Sequence, residues 1–224
     1  MSFIVAIDGT AGTGKGVITK LIAQELGLVN VDTGAIYRCV TLATINKGYT
    51  LENKQEIIDL VDDLDIKIEN NNGEQTIFLN GENVTNEIRE EHVTNLVSQV
   101  SAIPALRVKV TQIERSFAKN ADIIMEGRDI TTYVFPEADV KIYLDATPEE
   151  RARRRVKQNE EMGIHIPYEE VLESINKRDK NDKEKEIGAL KIAEDAVVID
   201  TTNMTVEEEK SKVLEIIKAK YNKK

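Results

Sequence analysis

Nine residues, Gly9-Thr10-Ala11-Gly12-Thr13-Gly14-Lys15-Gly16-Val17, constrain this chain more than any others. The apolar run Ile4, Val5, Ala6 and Ile7 precedes them and reads as a buried strand. Val17, Ile18, Leu21, Ile22 and Leu26 follow at helical spacing. A glycine-rich loop between a strand and a helix is the setting of a phosphate-binding loop. Its glycines allow a tight turn, so that backbone amides converge on phosphate oxygens, and the helix adds the positive end of its dipole. Lys15 supplies a mobile cation for the β and γ phosphates. A serine or threonine ordinarily follows that lysine as a magnesium ligand, and here the position is Gly16.

Five short apolar runs, at 3–7, 28–31, 123–125, 140–144 and 197–199, read as core strands. Helical patterns at 15–26, 34–46, 90–118, 148–162, 168–181 and 206–221 separate them. Strands alternating with helices predict a parallel sheet covered on both faces. The gap between the second and third strands is too long for one crossover helix. Within it Ile66 and Ile68 alternate with charged residues, and Asn72-Gly73 and Asn80-Gly81 are hairpin-turn dipeptides. A small antiparallel insert is expected over 64–84. The Lys- and Glu-rich stretch 180–186 reads as a mobile, solvated segment.

The chain has 224 residues, enough for a sizeable core, and a net charge of −10. That balance argues against nucleic acid as a partner. No apolar run reaches the ~20 residues that cross a bilayer, so no membrane is expected. Cys39 is the only cysteine, expected to pack in a helix, and a reducing cytoplasm is the expected compartment. His92 and His165 lack metal-ligand spacing. An acidic chain holds an anionic ligand only if cations are gathered locally, and its arginines are clustered.

The second strand runs into Asp32-Thr33-Gly34-Ala35-Ile36-Tyr37-Arg38. In open α/β sheets, ligands bind at the carboxyl ends of strands, where Arg38 can reach a second phosphate-bearing substrate. Asp32 or Thr33 also suits a helix cap there. The third strand ends in Glu126-Gly127-Arg128-Asp129, three charged groups that are costly after a buried strand unless they face a polar cleft. Arg151, Arg153, Arg154 and Arg155 fall within five residues and fan out on a helix, so only two or three can reach one anion. Asn176-Lys177-Arg178-Asp179 matches a guanine-reading signature in letters alone, because an amphipathic helix precedes it rather than a buried strand.

Together these residues resemble the bacterial cytidylate kinases, of the nucleoside monophosphate kinase group. The likeness rests on the loop at 9–17, Asp32 to Arg38, Ser98-Gln99-Val100, Gly127-Arg128-Asp129, Val134-Phe135-Pro136, Leu144-Asp145-Ala146 and Lys177-Arg178-Asp179, in that order, with a β insert between 64 and 84. The resemblance implies phosphoryl transfer from ATP, the co-substrate, to CMP or dCMP with Mg²⁺. It implies an α/β fold: a five-stranded parallel P-loop kinase core with helices on both faces, a small antiparallel β insert and a helical lid. One domain over 1–224 is expected, with a core at 1–36, 119–147 and 188–224, an NMP-binding region at 37–118 and a lid at 148–187.

By position, the resemblance gives Ser98, Arg107 and Asp129 to the cytosine edge. It gives Arg38 and Arg128 to the CMP phosphate, with Thr33 and Tyr37 lining that pocket. It gives Arg178 and Asp182 to the ribose hydroxyls, and Arg154 to the lid. Gly9, Thr10, Ala11, Gly12, Thr13, Gly14, Lys15, Gly16 and Val17 would hold ATP. The chemistry agrees: a carboxylate such as Asp129 accepts from the cytosine amino group and disfavours the uracil carbonyl. Phosphoryl transfer needs alignment and charge neutralisation, which a clamp of Lys15, Arg128, Arg154 and Lys185 supplies.

Two departures from the family pattern stand out: Gly16 and Val17 in the loop, and Lys185 where an arginine touching the acceptor phosphate is usual. No side chain is therefore assigned to the metal. Mg²⁺ is expected on ATP phosphates and water, with Asp32 or Asp129 at most in an outer shell. The residues leave open another small-molecule P-loop kinase or a nucleotide-binding module without turnover. A monomer is expected.

Overall fold

The computed structural model describes residues 2–71, 74–161 and 163–221. Five parallel strands form the main sheet: β1 (Ile4–Gly9), β2 (Val29–Asp32), β6 (Ile123–Gly127), β7 (Val140–Asp145) and β8 (Val197–Asp200). Their spatial order is β2-β6-β1-β7-β8, so the strand that feeds the phosphate loop lies at the centre. Asp8 pairs with Gly127 and Tyr143, which brings three strand ends level at one edge of the sheet.

Side chains alternate between the two faces, as the twofold strand period requires. Val5, Ile7, Ile124 and Ile142 pack on one side with Ile18 and Ile22 of α1 (Lys15–Leu26) and Val213 and Ile217 of α8 (Val206–Tyr221). Ala6, Val31, Ile123 and Met125 pack on the other. There they meet Ile36 and Val40 of α2 (Thr33–Asn46), Val93 and Val100 of α4 (Glu91–Val100), and Leu106 and Val110 of α5 (Pro104–Ser116). Helices thus cover both faces, as expected. Cys39 is fully buried in α2, and burial pushes its thiol up to about 12.

Every sheet strand runs further toward its carboxyl end than its apolar run, adding Asp8-Gly9, Asp32, Glu126-Gly127, Asp145 and Asp200. Hydropathy misses these residues because the ladder hydrogen bonds, not the side chains, carry the strand onward. The helical region expected over 90–118 is two helices. Pro104 stands in the first turn of α5, and Ile103 before it is extended, at φ −69° and ψ 114°. The helix α3 (Lys54–Leu60) has no counterpart among the sequence patterns, since seven residues give too short a periodic run.

The insert is a three-stranded antiparallel sheet, β3 (Ile66–Asn71), β4 (Glu74–Leu79) and β5 (Glu82–Asn83). Asn80 and Gly81 have φ of 52° and 86°, the positive values a two-residue hairpin turn needs. The Asn72-Gly73 turn and Met162 lie outside the described residues. Ile66, Ile77 and Leu79 join the same apolar cluster as α2. Gln75 donates from Nε2 to the Asn30 carbonyl of β2 at 3.0 Å. α6 (Pro148–Glu161) and α7 (Tyr168–Lys183) pack through Ala152, Val171 and Ile175. The helical nature of α7 removes the guanine-reading interpretation of residues 176–179.

Candidate active site

The strand ends, the phosphate loop, the start of α2 and the helix pair α6–α7 converge above the carboxyl edge of the sheet. Asp8, at the end of β1, holds the floor. It accepts from the amides of Ile130 and Thr131 at 2.9 and 2.7 Å and from the Thr131 hydroxyl at 2.6 Å. Burial pushes its carboxyl up to about 6, against those hydrogen bonds. The contacts fix a π-helical turn, Ile130–Val134, directly after the Gly127-Arg128-Asp129 segment. Unusual helical turns of this kind cluster at functional sites.

In the phosphate loop, Gly14 has φ 92° and ends the loop at the start of α1, a conformation that excludes most other residues. Lys15 is 5% exposed and folds back into its own loop. Its Nζ donates to the carbonyls of Gly9 and Thr10 at 2.9 and 2.7 Å and to Thr13 Oγ1 at 3.2 Å. Burial, and then Arg128, lowers its pKa, while burial and then Asp32 raise that of Glu126. The Glu126 carboxyl lies against Gly16: a Cβ on that residue would stand 2.9 Å from Glu126 Oε1.

The arginine cluster divides as a helical fan should. Arg153 and Arg155 stay at the surface with Glu150 and Gln158. Arg154 donates to the carbonyls of Thr13 and Thr201 at 3.4 and 2.5 Å, and so touches the phosphate loop. Arg151 is buried and brackets Ala11: Nη1 donates to the Ala11 carbonyl at 2.9 Å, and Nη2 pairs with Asp179 at 2.7 Å. Asp179 in turn accepts from the Ala11 amide at 3.5 Å. Neither Arg151 nor Asp179 stood among the expected site residues. The signal was present in the quoted arginine run and in Lys177-Arg178-Asp179, but the pairing spans α6 and α7 and no local pattern encodes it.

Expected acceptor-side residues come together around Asp182. That carboxylate pairs with Arg128 at 2.9 Å and Lys185 at 2.8 Å, so both its oxygens are taken by cations. Burial works to raise its pKa, but the two cations prevail and hold it at about 2. The 180–186 stretch is solvated at Lys180, Asn181, Lys183, Glu184 and Glu186, as expected, but Asp182 and Lys185 turn inward. α7 continues to Lys183, and the side chains of Asp182 and Lys185 are only 6% and 7% exposed. Opposite charges from distant segments made this burial possible. Arg178 lies alongside, its pKa lowered to about 10 by burial and then by Arg128. Arg38 pairs with Asp32 at 2.9 Å, and Asp32 also caps α2 through the Ala35 amide at 3.1 Å. The Thr33 hydroxyl donates to the Glu126 carbonyl at 2.8 Å.

On the far side stands a buried pair. Arg107 Nη2 donates to Asp129 Oδ2 at 2.6 Å, and Nη1 donates to the Ser101 carbonyl at 3.1 Å. The Arg107 guanidinium lies 5.1 Å from the centre of the Tyr37 ring. Ser98 sits half-buried one turn before Ser101 and accepts from its hydroxyl at 3.1 Å through the backbone carbonyl. Burial raises the Asp129 carboxyl, and the adjacent guanidinium opposes that shift. Gly188, at φ 66°, closes over the pair: a Cβ there would lie 2.1 Å from Asp129 Oδ2, so no other residue fits without movement. Arg107 Nε is buried and has no protein partner.

The family model for cytidylate kinase matches residues 5–219. Among curated proteins, the chain is 45% identical over 212 residues to a cytidylate kinase of Caldicellulosiruptor saccharolyticus, covering 95% of this chain and 94% of that protein. It is 42% identical over 213 residues to a cytidylate kinase of a Geobacillus species, covering 95% of each. A crystal structure of an uncharacterized protein from Eubacterium ventriosum superposes with a TM-score of 0.53 at 10% identity, over 98% of this chain and 99% of that one, a likeness of fold alone.

Proposed function

The chain belongs to the cytidylate kinase family, and from that premise we propose that it transfers the γ-phosphoryl group of ATP to CMP and dCMP. The observation that carries the reading is the buried Arg107–Asp129 pair, 2.6 Å across, whose Nε donor has no protein partner. A guanidinium donor beside a carboxylate acceptor matches cytosine, which offers acceptors next to an amino group. Uracil puts a carbonyl where the amino group was, against Asp129. A site built to hydrogen-bond one edge rejects the other, because its buried polar groups are then left unpaired.

Each cation on the phosphate side has a role in this reaction. Arg128 and Lys185, both held on Asp182, receive the CMP phosphate with Arg38. Lys15 leaves the loop carbonyls for the transferring phosphoryl group, where charge develops. Arg154, already against Thr13, joins it from α6. Arg151 and Asp179 set the height of α6 and α7 over Ala11 without touching the reacting atoms. Arg178 and Ser98 complete the ribose and base contacts. These groups align and neutralise, and no side chain is needed as a base.

Magnesium fits this donor set in a limited way. Among the described residues no cluster of three or more His, Cys, Asp or Glu side chains stands ready for a metal. Asp32 and Asp129 are engaged by Arg38 and Arg107, whereas Glu126 lies at Gly16, beside the phosphate loop. Glu126 is thus the carboxylate suited to a cation carried mainly by ATP oxygens and water. That cation would supply further neutralisation of phosphate charge.

We place the protein in pyrimidine nucleotide metabolism in the cytoplasm, as a monomer; among the described residues no helix is long and apolar enough to cross a membrane. The deciding experiment is ADP formation with CMP, dCMP, UMP, AMP, GMP and shikimate in turn. Turnover fastest with CMP and dCMP supports the reading. Equal or faster turnover of any other acceptor, or none with any, overturns it.

A further inference from the structure

Behind the base-reading pair, Arg107 and Tyr37 border buried polar side chains to which phosphoryl transfer assigns no role, Thr111 and Glu114. Arg107, Thr111 and Glu114 follow each other at helical spacing along the buried face of α5 and are 2%, 3% and 1% exposed. Tyr37 of α2 faces them, its ring against Arg107. The Tyr37 hydroxyl, Arg107 Nε, Thr111 Oγ1 and Glu114 Oε2 all lack a protein partner. A buried polar atom without a partner costs ~1–3 kcal/mol, so four in one place are not incidental.

We propose that Glu114 is a positioning residue for the base-reading guanidinium of Arg107, acting as a neutral carboxylic acid so that Arg107 remains committed to Asp129 and the cytosine edge. The inference rests on the proposed CMP kinase reading and extends it to a residue outside the substrate contacts. As an acid, Glu114 can donate within the polar group and places no competing charge near Arg107. As a carboxylate, it becomes a second anion drawing on the same guanidinium, and cytosine loses a donor.

The groups that bear on Glu114 decide its charge. Burial, and then Asp129 after β6, raise its pKa to about 8. Arg107, on its own helix, opposes that shift, Asp8 at the end of β1 adds to it, and Arg115 on its own helix lowers it. Tyr37 of α2 feels the Glu114 charge in return, as part of what holds its phenol well above the ordinary value. Two acids and two arginines therefore offset in part, and burial is the leading cause.

The test compares wild type with Glu114→Gln, which keeps the shape and removes the titration. Calorimetric CMP affinity and steady-state KM and kcat are measured from about pH 6.5 to about pH 9.5. CMP affinity of the wild type, relative to Glu114→Gln, should fall about tenfold across that span, or about 1.4 kcal/mol, while the kcat ratio stays within about twofold. The same pH dependence in both proteins, or a loss confined to kcat, overturns the proposal. Should Glu114→Gln not fold, wild type alone gives the answer. CMP binding at about pH 8.5 should take up protons, measured in buffers of different ionisation heat, and no uptake overturns the proposal. A wild type that binds and turns over CMP but shows no such linkage fails this inference only. A wild type that does not use CMP fails the functional reading itself.

Discussion

The two halves of the site treat charge in opposite ways. On the phosphate side Lys15, Arg38, Arg128, Arg151, Arg154 and Lys185 each have a protein acceptor: a loop carbonyl, Asp32, Asp179, Glu150 or Asp182. On the base side Arg107 pairs with Asp129, but Arg107 Nε, Tyr37 OH, Thr111 Oγ1 and Glu114 Oε2 have no protein partner, whereas among those phosphate-side cations only Arg38 Nε is buried without one. A cation can trade a carboxylate or carbonyl for a phosphate oxygen at little net cost, because both are strong acceptors. A base edge offers weaker, directional partners, and on the proposed reading Arg107 Nε, buried beside Asp129 without a protein partner, is kept for one. On the proposed reading, the phosphate side supplies rate and acceptor affinity, and the base side supplies discrimination.

That division breaks most visibly at Lys15. Lys15→Met should lower kcat by about a hundred- to a thousandfold, roughly 3–4 kcal/mol, with CMP affinity little changed. Stopped-flow turnover with parallel calorimetry checks both parts. A matching loss of CMP binding would mean that Lys15 serves both halves.

The next effect concerns Asp182 and sharpens the claim that ion pairs store the phosphate-side cations. Its folded pKa of about 2 lies below the ordinary 3.8, so its stabilising contribution is present above that ordinary value and lost as pH falls toward 2. Asp182→Asn should cost on the order of 2 kcal/mol at neutral pH, with the gap closing in strong acid. Urea melts of both proteins at about pH 7 and about pH 3 measure it. A constant gap would place Asp182 in packing rather than in charge pairing.

The smallest effect is at Lys185. Lys185→Arg should leave the CMP KM unchanged or lower it by up to about threefold, below ~0.7 kcal/mol, since arginine offers two parallel donors to phosphate. A raised KM would show that the pocket around Asp182 is shaped for an ammonium.

The same contrast explains what the sequence could and could not tell. The phosphate loop, Asp32 to Arg38 and Gly127-Arg128-Asp129 lie at strand ends, where a break from apolar to polar marks the site. The five strands were legible because each is a short, largely apolar run containing Val or Ile. The burial of Asp182 and Lys185 within 180–186 was not, because Asp182 is paired with Arg128, which lies 54 positions away in the chain. Glu114 carries no local mark of burial within the helical stretch 90–118, and only the packing of α5 on α2 shows that it is buried. Glu126 was visible beside Arg128, yet its relation to Gly16 depends on the register of β6 against β1. Charged residues paired across the fold are the part that local patterns cannot resolve.

The central claim, that the Arg107–Asp129 pair reads cytosine while the phosphate side is indifferent to the base, is tested most directly at Asp129. The measurement is kcat/KM for CMP and for UMP in wild type and in Asp129→Asn. The substitution retains the shape of the side chain but presents an amide in place of the carboxylate. The expected result is a loss of about ten- to a hundredfold for CMP, the range of a hydrogen bond to a charged group, with UMP unchanged or improved, so that the ratio collapses. An equal loss for both nucleotides, with the CMP to UMP ratio intact, would contradict the claim and assign the pair to the stability of the fold.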